Sequence, residues 1–148
     1  MYTIEEFDTN KSKVLKYILY KKRTKHEIKS KFSKTMDEDM LEDIMADLEE
    51  KGYINDTSYI TRAVNEFKAL QNLSIKEIKY KLISKGVPSS LIEDYLSTNF
   101  DDMQEYEINS AIAIINKKQN SMDEEKLMQY MLKKGYKTSS IKEAIDRI

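Results

Sequence analysis

Paired lysines are the side chains whose type and spacing point most directly to a task in this 148-residue chain. Lys29 and Lys31 flank Ile28 and Phe32, and Lys79 and Lys81 flank Ile78 and Leu82 at the same offsets. A lysine ammonium is a compact point charge with three donors, suited to attracting phosphate or carboxylate. Arg23 and Lys25 extend the first set, Lys76 and Lys85 extend the second, and Lys68 stands between them. We take Arg23, Lys25, Lys29, Lys31, Lys68, Lys76, Lys79, Lys81 and Lys85 as candidate partner-binding residues. The basic stripe they predict suits a phosphate backbone or an acidic protein surface, and sequence leaves both open.

Other chemistries find little support. His26 is the single histidine, sits beside lysines, and has no second ligand spaced to join it around a metal. The acidic run from Asp37 to Glu50 lacks the alternating ligands and central glycine of a calcium loop, and reads as a solvated helix face. Without cysteine there is no disulfide, thiolate nucleophile or cysteine-bound zinc. Glycine-rich phosphate loops and Ser–His–Asp or Cys–His sets are missing too. We therefore expect no catalytic, cofactor-binding or metal-binding residue, and an enzyme is the least favoured class.

The elements that must position the lysines are legible from a repetition. Residues 24–32, TKHEIKSKF, return as residues 74–82, SIKEIKYKL. In both, a hydroxyl residue stands three before a glutamate, the spacing of a helix-opening capping box. A weaker third copy starts at Asp123, where Leu127 and Met131 keep the apolar spacing and Gly135 matches Gly86. This copy has Met128 and Tyr130 where the middle one has Lys79 and Lys81. Repetition at such a period predicts an array of helical units, and arrays build long gripping surfaces more readily than closed pockets.

Apolar residues recurring every three or four positions predict nine helices in three groups. The first helix is expected over 10–21, the second from the Thr24 cap, and the third from Asp37 to the Gly52 stop. Asn55 and Asp56 offer a cap to the fourth, Ser74 caps the fifth, and Pro88 suits the first turn of the sixth. The acidic stretch 101–107 reads as a junction. The fold class expected is all-α: a tandem array of three three-helix repeats, curved and elongated, with repeats at 10–58, 59–101 and 102–148. Glycine and proline are too scarce, at three and one, for an all-β fold. No apolar run approaches the ~18 residues of a membrane span. A cytoplasmic monomer is expected. Net charge is −1, yet cations crowd residues 11–34 and acids crowd 37–50, so the chain is segmentally polarised.

Four segments carry a family likeness. Gly52-Tyr53-Ile54-Asn55-Asp56 followed by Tyr59 resembles the signature of the RecX family of recombination regulators. Glu77-Ile78 through Leu82 and Lys85-Gly86-Val87 is similar to that family's middle repeat. Arg23-Thr24, Glu27-Ile28 and Lys31-Phe32 resemble its first, and Lys133-Lys134-Gly135-Tyr136 the corresponding helix end of its third. The resemblance implies tandem three-helix repeats that lodge in the groove of the RecA filament on single-stranded DNA, contact neighbouring subunits, and limit its growth or promote its disassembly. It implies no enzymatic activity, with RecA as partner and single-stranded DNA reached through the filament. Two other readings stay open: a helix-turn-helix DNA-binding regulator centred on the first unit, and a helical scaffold for an unrelated partner. An acidic third helix argues against the former, because a recognition helix should be basic.

Overall fold

The computed structural model describes residues 2–148. Among the described residues there are nine α-helices and no strand: α1 Ile4–Tyr20, α2 Lys25–Phe32, α3 Glu38–Glu50, α4 Asp56–Leu70, α5 Ile75–Ser84, α6 Ser89–Thr98, α7 Phe100–Lys118, α8 Glu124–Lys134 and α9 Thr138–Arg147. The all-helical class read from the sequence is observed. None of these helices is long and apolar enough to cross a membrane.

Local chemistry accounts for most of the boundaries. Thr24 and Ser74 each close a full capping box with Glu27 and Glu77. Asp37 and Asn55 cap α3 and α4 through their side chains. Gly52 ends α3 with a positive φ of 84°. Pro88 stands at the N-cap of α6, one position before the expected first turn.

Three expectations are corrected. α1 begins at Ile4 rather than residue 10, because Thr3 accepts a 3.1 Å bond from the Glu6 N–H and opens the helix early. Phe7 then packs on the first core, two turns before Val14. The 101–107 junction does not exist as a break, since α7 runs straight through it. Its acids Asp101 and Asp102 belong to the first helical turn, where the helix dipole favours them, while Met103, Tyr106 and Glu107 point inward. Asp56 is not the cap of α4: Asn55 takes that role, and the buried Asp56 carboxylate accepts a 3.1 Å bond from the Lys25 backbone N–H.

Burial falls into three apolar clusters. The first gathers Val14, Ile18, Ile28, Phe32, Leu41, Ile44 and Leu48 from α1, α2 and α3. Ile60, Val64, Ile78, Leu82 and Ile92 make the second, from α4, α5 and α6. The third holds Ile114, Leu127, Met131, Ile141 and Ala144 from α7, α8 and α9. α7 joins two of them: its Met103 and Tyr106 belong to the second cluster, and Ala111, Ile114 and Ile115 to the third.

The two capping hydroxyls do more than open helices. Besides accepting from Glu27 N–H, the Thr24 hydroxyl donates to the Lys85 carbonyl at 2.6 Å. Besides accepting from Glu77 N–H, the Ser74 hydroxyl donates to the Lys134 carbonyl at 2.9 Å. Both side chains are completely buried. Each acceptor precedes a glycine that turns the chain at positive φ, Gly86 at 85° and Gly135 at 104°. A Cβ on Gly86 would lie 2.0 Å from the His26 Cβ, and one on Gly135 would lie 2.9 Å from the Lys76 Cβ. His26 and Lys76 occupy the same position in their helices, two residues after the cap. The same junction is thus built twice.

A second buried polar set links the second and third clusters. Tyr106 Oη and Ser110 Oγ both donate to the Leu73 carbonyl, at 2.6 and 3.2 Å, and Ser110 shares a 2.6 Å bond with Tyr136 Oη. The Glu107 carboxylate is fully buried, accepts from the Lys137 N–H at 3.0 Å through Oε1, and leaves Oε2 unpaired. Burial pushes the Glu107 carboxyl above the usual carboxylate range, opposed by the Lys137 N–H and ammonium.

Substituting Gly86 by alanine is expected to cost about 3 kcal/mol or more, combining left-handed strain with overpacking against His26. Gly52→Ala meets no atom within 4 Å and should cost only about 1 kcal/mol of backbone strain. Urea denaturation at constant m separates the two, and equal losses would refute the close-packed junction. Glu107 gives a pH test. Because its folded-state pKa is raised, its contribution is full below the unfolded pKa and is lost as pH rises through the folded value. The stability of Glu107→Gln relative to wild type should therefore climb as pH rises above the unfolded glutamate value, whereas a pH-independent difference would contradict this assignment.

Candidate partner-binding surface

α2 and α5 present the paired lysines, and helix geometry decides where each one points. Residues two apart differ by about 200° around the axis, so Lys29 and Lys31 leave the buried Ile28–Phe32 ridge on opposite flanks. Lys79 and Lys81 do the same beside Ile78 and Leu82. One flank faces the following helix. There Lys29 pairs with Glu42 at 3.7 Å, Lys25 pairs with Glu49, and Lys79 pairs with Glu93. These pairs are solvent-exposed, worth about 0–1 kcal/mol each, so a partner can exchange them at little cost.

The opposite flank carries cations without carboxylates. Arg23 lies over the Tyr17 ring at 4.1 Å and Lys31 over the same ring at 5.7 Å. Lys81 and Lys85 are exposed, and only the Lys85 carbonyl is engaged, by Thr24. Lys68 is half-buried in the last turn of α4. Lys76 is divided in role: its stem presses on Gly135 while its ammonium lies 6.0 Å from the Tyr80 ring. The structure thus brings Lys25 with Lys29, Arg23 with Lys31, and Lys76 with Lys79, and sets the two flanks apart.

Hollows lie between α2 and α3, among α5, α6 and α7, and among α7, α8 and α9, and their lining changes from one to the next. The first, about 220 Å³, is charged, with Lys25, Lys29, Glu42 and Glu49. A second, about 640 Å³, is mixed, with Lys76, Lys79, Tyr80, Leu96, Phe100 and Lys137. The third, about 260 Å³, is apolar, with Met122, Leu127, Met128, Ile145 and Ile148. At matching positions the lining reads Lys29, Lys79, Met128 on one wall and Met45, Leu96, Ile145 on the other. The different linings yield three surfaces of different chemistry on similar helices.

Tyr80, Phe100 and Lys137 were missed from sequence. Tyr80 and Phe100 are 59% and 56% exposed, and Lys137 lies 5.6 Å from the Phe100 ring. A usable signal existed at Tyr80, an aromatic standing where the first copy has Ser30. Phe100 was hidden by the acidic stretch mistaken for a junction.

No family model matches this chain. It is 28% identical over 141 residues to the regulatory protein RecX of Finegoldia magna, which covers 89% of this chain and 66% of the relative. Regulatory protein RecX of Streptococcus mutans is 27% identical over 139 residues, covering 90% of this chain and 53% of the relative. That of Clostridium beijerinckii is 27% identical over 154 residues, covering 97% and 70%. The chain therefore spans about half to two thirds of the length of the first two relatives. The crystal structure of RecX from Lactobacillus salivarius superimposes with a TM-score of 0.81 at 25% identity, over 98% of this chain and 97% of that one. A second crystal structure of a regulatory protein RecX gives 0.78 at 23% identity and shares the fold. With sequence likeness along nearly its whole length and a common arrangement of helices, the chain is similar to the regulatory proteins RecX in both sequence and fold.

Proposed function

We propose that this chain is a non-enzymatic regulator that docks along RecA–single-stranded DNA filaments and inhibits RecA. In this reading residues 10–58, 59–101 and 102–148 are three tandem three-helix repeats forming a curved, elongated array. The chain acts as a cytoplasmic monomer without a cofactor. The observation that carries it is the junction built twice, from Thr24, Lys85, Gly86 and His26, then from Ser74, Lys134, Gly135 and Lys76. Such recurrence supports a common attitude of α2 and α5 toward the helices that follow, and hence a regular spacing of their cations. A repeating partner such as a protein filament is matched by a repeating surface.

Arg23, Lys25, Lys29 and Lys31 serve the first contact, Lys76, Lys79, Lys81 and Lys85 the second, and Lys68 the ground between. The exposed ion pairs of Lys29 and Lys79 open when an acidic partner surface offers replacement carboxylates. Tyr80 and Phe100 add apolar contact beside Lys76 and Lys79. Regulation follows from differential affinity: a chain that prefers one filament state shifts the population toward it.

The test is the ATPase activity of RecA on single-stranded DNA, measured with increasing amounts of this protein. Wild type should inhibit. Reversing Lys29, Lys31, Lys79 and Lys81 to glutamate should weaken inhibition about tenfold or more, mainly through slower association, with helical content unchanged. A folded quadruple variant that inhibits like wild type removes these lysines from the contact, and no effect of wild type on RecA removes the function.

A further inference from the structure

A different patch, outside the lysines of α2 and α5, combines exposed aromatic rings with cations. From Thr9 to His26 the chain holds no acidic residue. Lys11 and Lys25 are neutralised by Asp47 and Glu49 of α3, and Arg23 is stacked on Tyr17. Lys21 and Lys22, just past the end of α1, enter no ion pair among the described residues. A hollow of about 220 Å³ forms there, lined by Leu19, Tyr20, Lys21, Lys22, Tyr53 and Arg62, and no carboxylate lines it. Arg62 keeps only a loose 3.4 Å pair with Glu66, both side chains well exposed.

The two tyrosines are not explained by packing. Tyr20 is 86% exposed and Tyr53 42% exposed. Tyr53 occupies the residue after the helix-ending glycine, a slot filled by Val87 and Tyr136 at the ends of α5 and α8, where both are buried. At the end of α3 the next residue, Ile54, takes the core place, and the Tyr53 ring is turned to solvent. Its backbone is nonetheless fixed, with its N–H donating to the Leu48 carbonyl at 2.8 Å. An aromatic ring held on a rigid turn, beside a second ring and three cations, is preorganised to stack on a flat ligand that carries negative charge.

We propose that this hollow is a direct contact site for single-stranded nucleic acid, with Tyr20 and Tyr53 stacking on bases and Lys21, Lys22 and Arg62 meeting phosphates. Unpaired strands fit because their base faces are free, whereas duplex bases are stacked out of reach. The geometry also disfavours a duplex: the patch is a helix end and a turn rather than a helix that enters a groove, and neighbouring α3 is acidic. This deepens the regulator reading and rests on it only for its biological setting.

The experiment uses the full chain without recombinase, following fluorescence anisotropy of labelled oligo(dT), oligo(rU), an abasic oligomer of equal length, and a duplex. Oligo(dT) or oligo(rU) should bind more tightly than the abasic strand and the duplex; whichever of the two ranks first supports the site and identifies the strand. Tyr20→Ala and Tyr53→Ala should each weaken binding to the preferred strand roughly tenfold, leave the abasic strand unaffected, and be rescued by Tyr20→Phe and Tyr53→Phe. Lys21→Gln and Lys22→Gln should each reduce the salt slope by about 0.7. Binding equally tight to the abasic strand, tighter binding to duplex, indifference to both tyrosine substitutions, or no binding at low salt would overturn the proposal. With RecA absent, none of these outcomes depends on whether the α2 and α5 lysines contact a filament.

Discussion

Two contacts between distant helix ends each depend on one buried hydroxyl that serves two helices at once. As an acceptor it closes the start of its own helix, and as a donor it saturates a carbonyl left open at the end of another, some sixty residues along the chain. Helix ends leave N–H and C=O groups unpaired, and burying such groups without partners is costly. Here the orphans of two helices answer one another, so both ends can be buried together. Only a side chain that both donates and accepts does this. Asp123, in the equivalent cap of α8, accepts from the Lys126 N–H at 2.8 Å but has no proton to give. Glycine completes the arrangement, because Gly86 and Gly135 let the acceptor strand come down onto His26 and Lys76 without a Cβ between them.

This explains what the sequence made legible. Helix caps, glycine stops and apolar spacing are local, and they identified all nine helices; the errors of extent were the start of α1, where Thr3 and Glu6 extend the helix by a turn and a half, and the start of α7, which runs through the expected junction. The capping boxes at Thr24 and Ser74 were readable for the same reason. Their second role was not, since nothing local tells a hydroxyl proton which distant carbonyl it will meet. Asp56 shows the same limit: its type suggested a cap, and its burial against the Lys25 N–H is a tertiary fact. Composition misled at residues 101–107, where solvated acids masked the inward face of Met103, Tyr106 and Glu107.

The candidate surface was legible as a set of residues and not as directions. Matching offsets in two segments identified the lysines, and helical arithmetic alone separates Lys29 from Lys31. What sequence did not supply is the partner each flank faces. Lys29 and Lys79 meet carboxylates from the next helix, Lys31 meets the Tyr17 ring, and Lys76 is partly a spacer for Gly135. A cation near a carboxylate and a cation over a ring remain charged, yet they present that charge to a partner at different cost.

Segmental polarity acquires a physical sense once α1, α2 and α3 pack on one another. The acidic run of α3 lies back along the basic run that precedes it, and Asp47, Glu49 and Glu42 take up Lys11, Lys25 and Lys29. Neutralisation is spatially selective. It covers the faces of α1 and α2 turned toward α3 and stops where α1 ends, so Lys21 and Lys22 emerge with Arg62 as neighbour and no carboxylate in the hollow. Near-zero net charge is therefore compatible with a local positive field, because over separations beyond about 10 Å solvent ions screen the remaining acids from that site. The residual cations coincide with the two rings that packing leaves free, Tyr20 and Tyr53. Charge and stacking surface have been left over by the same fold in the same place, where a ligand needing both finds them already assembled.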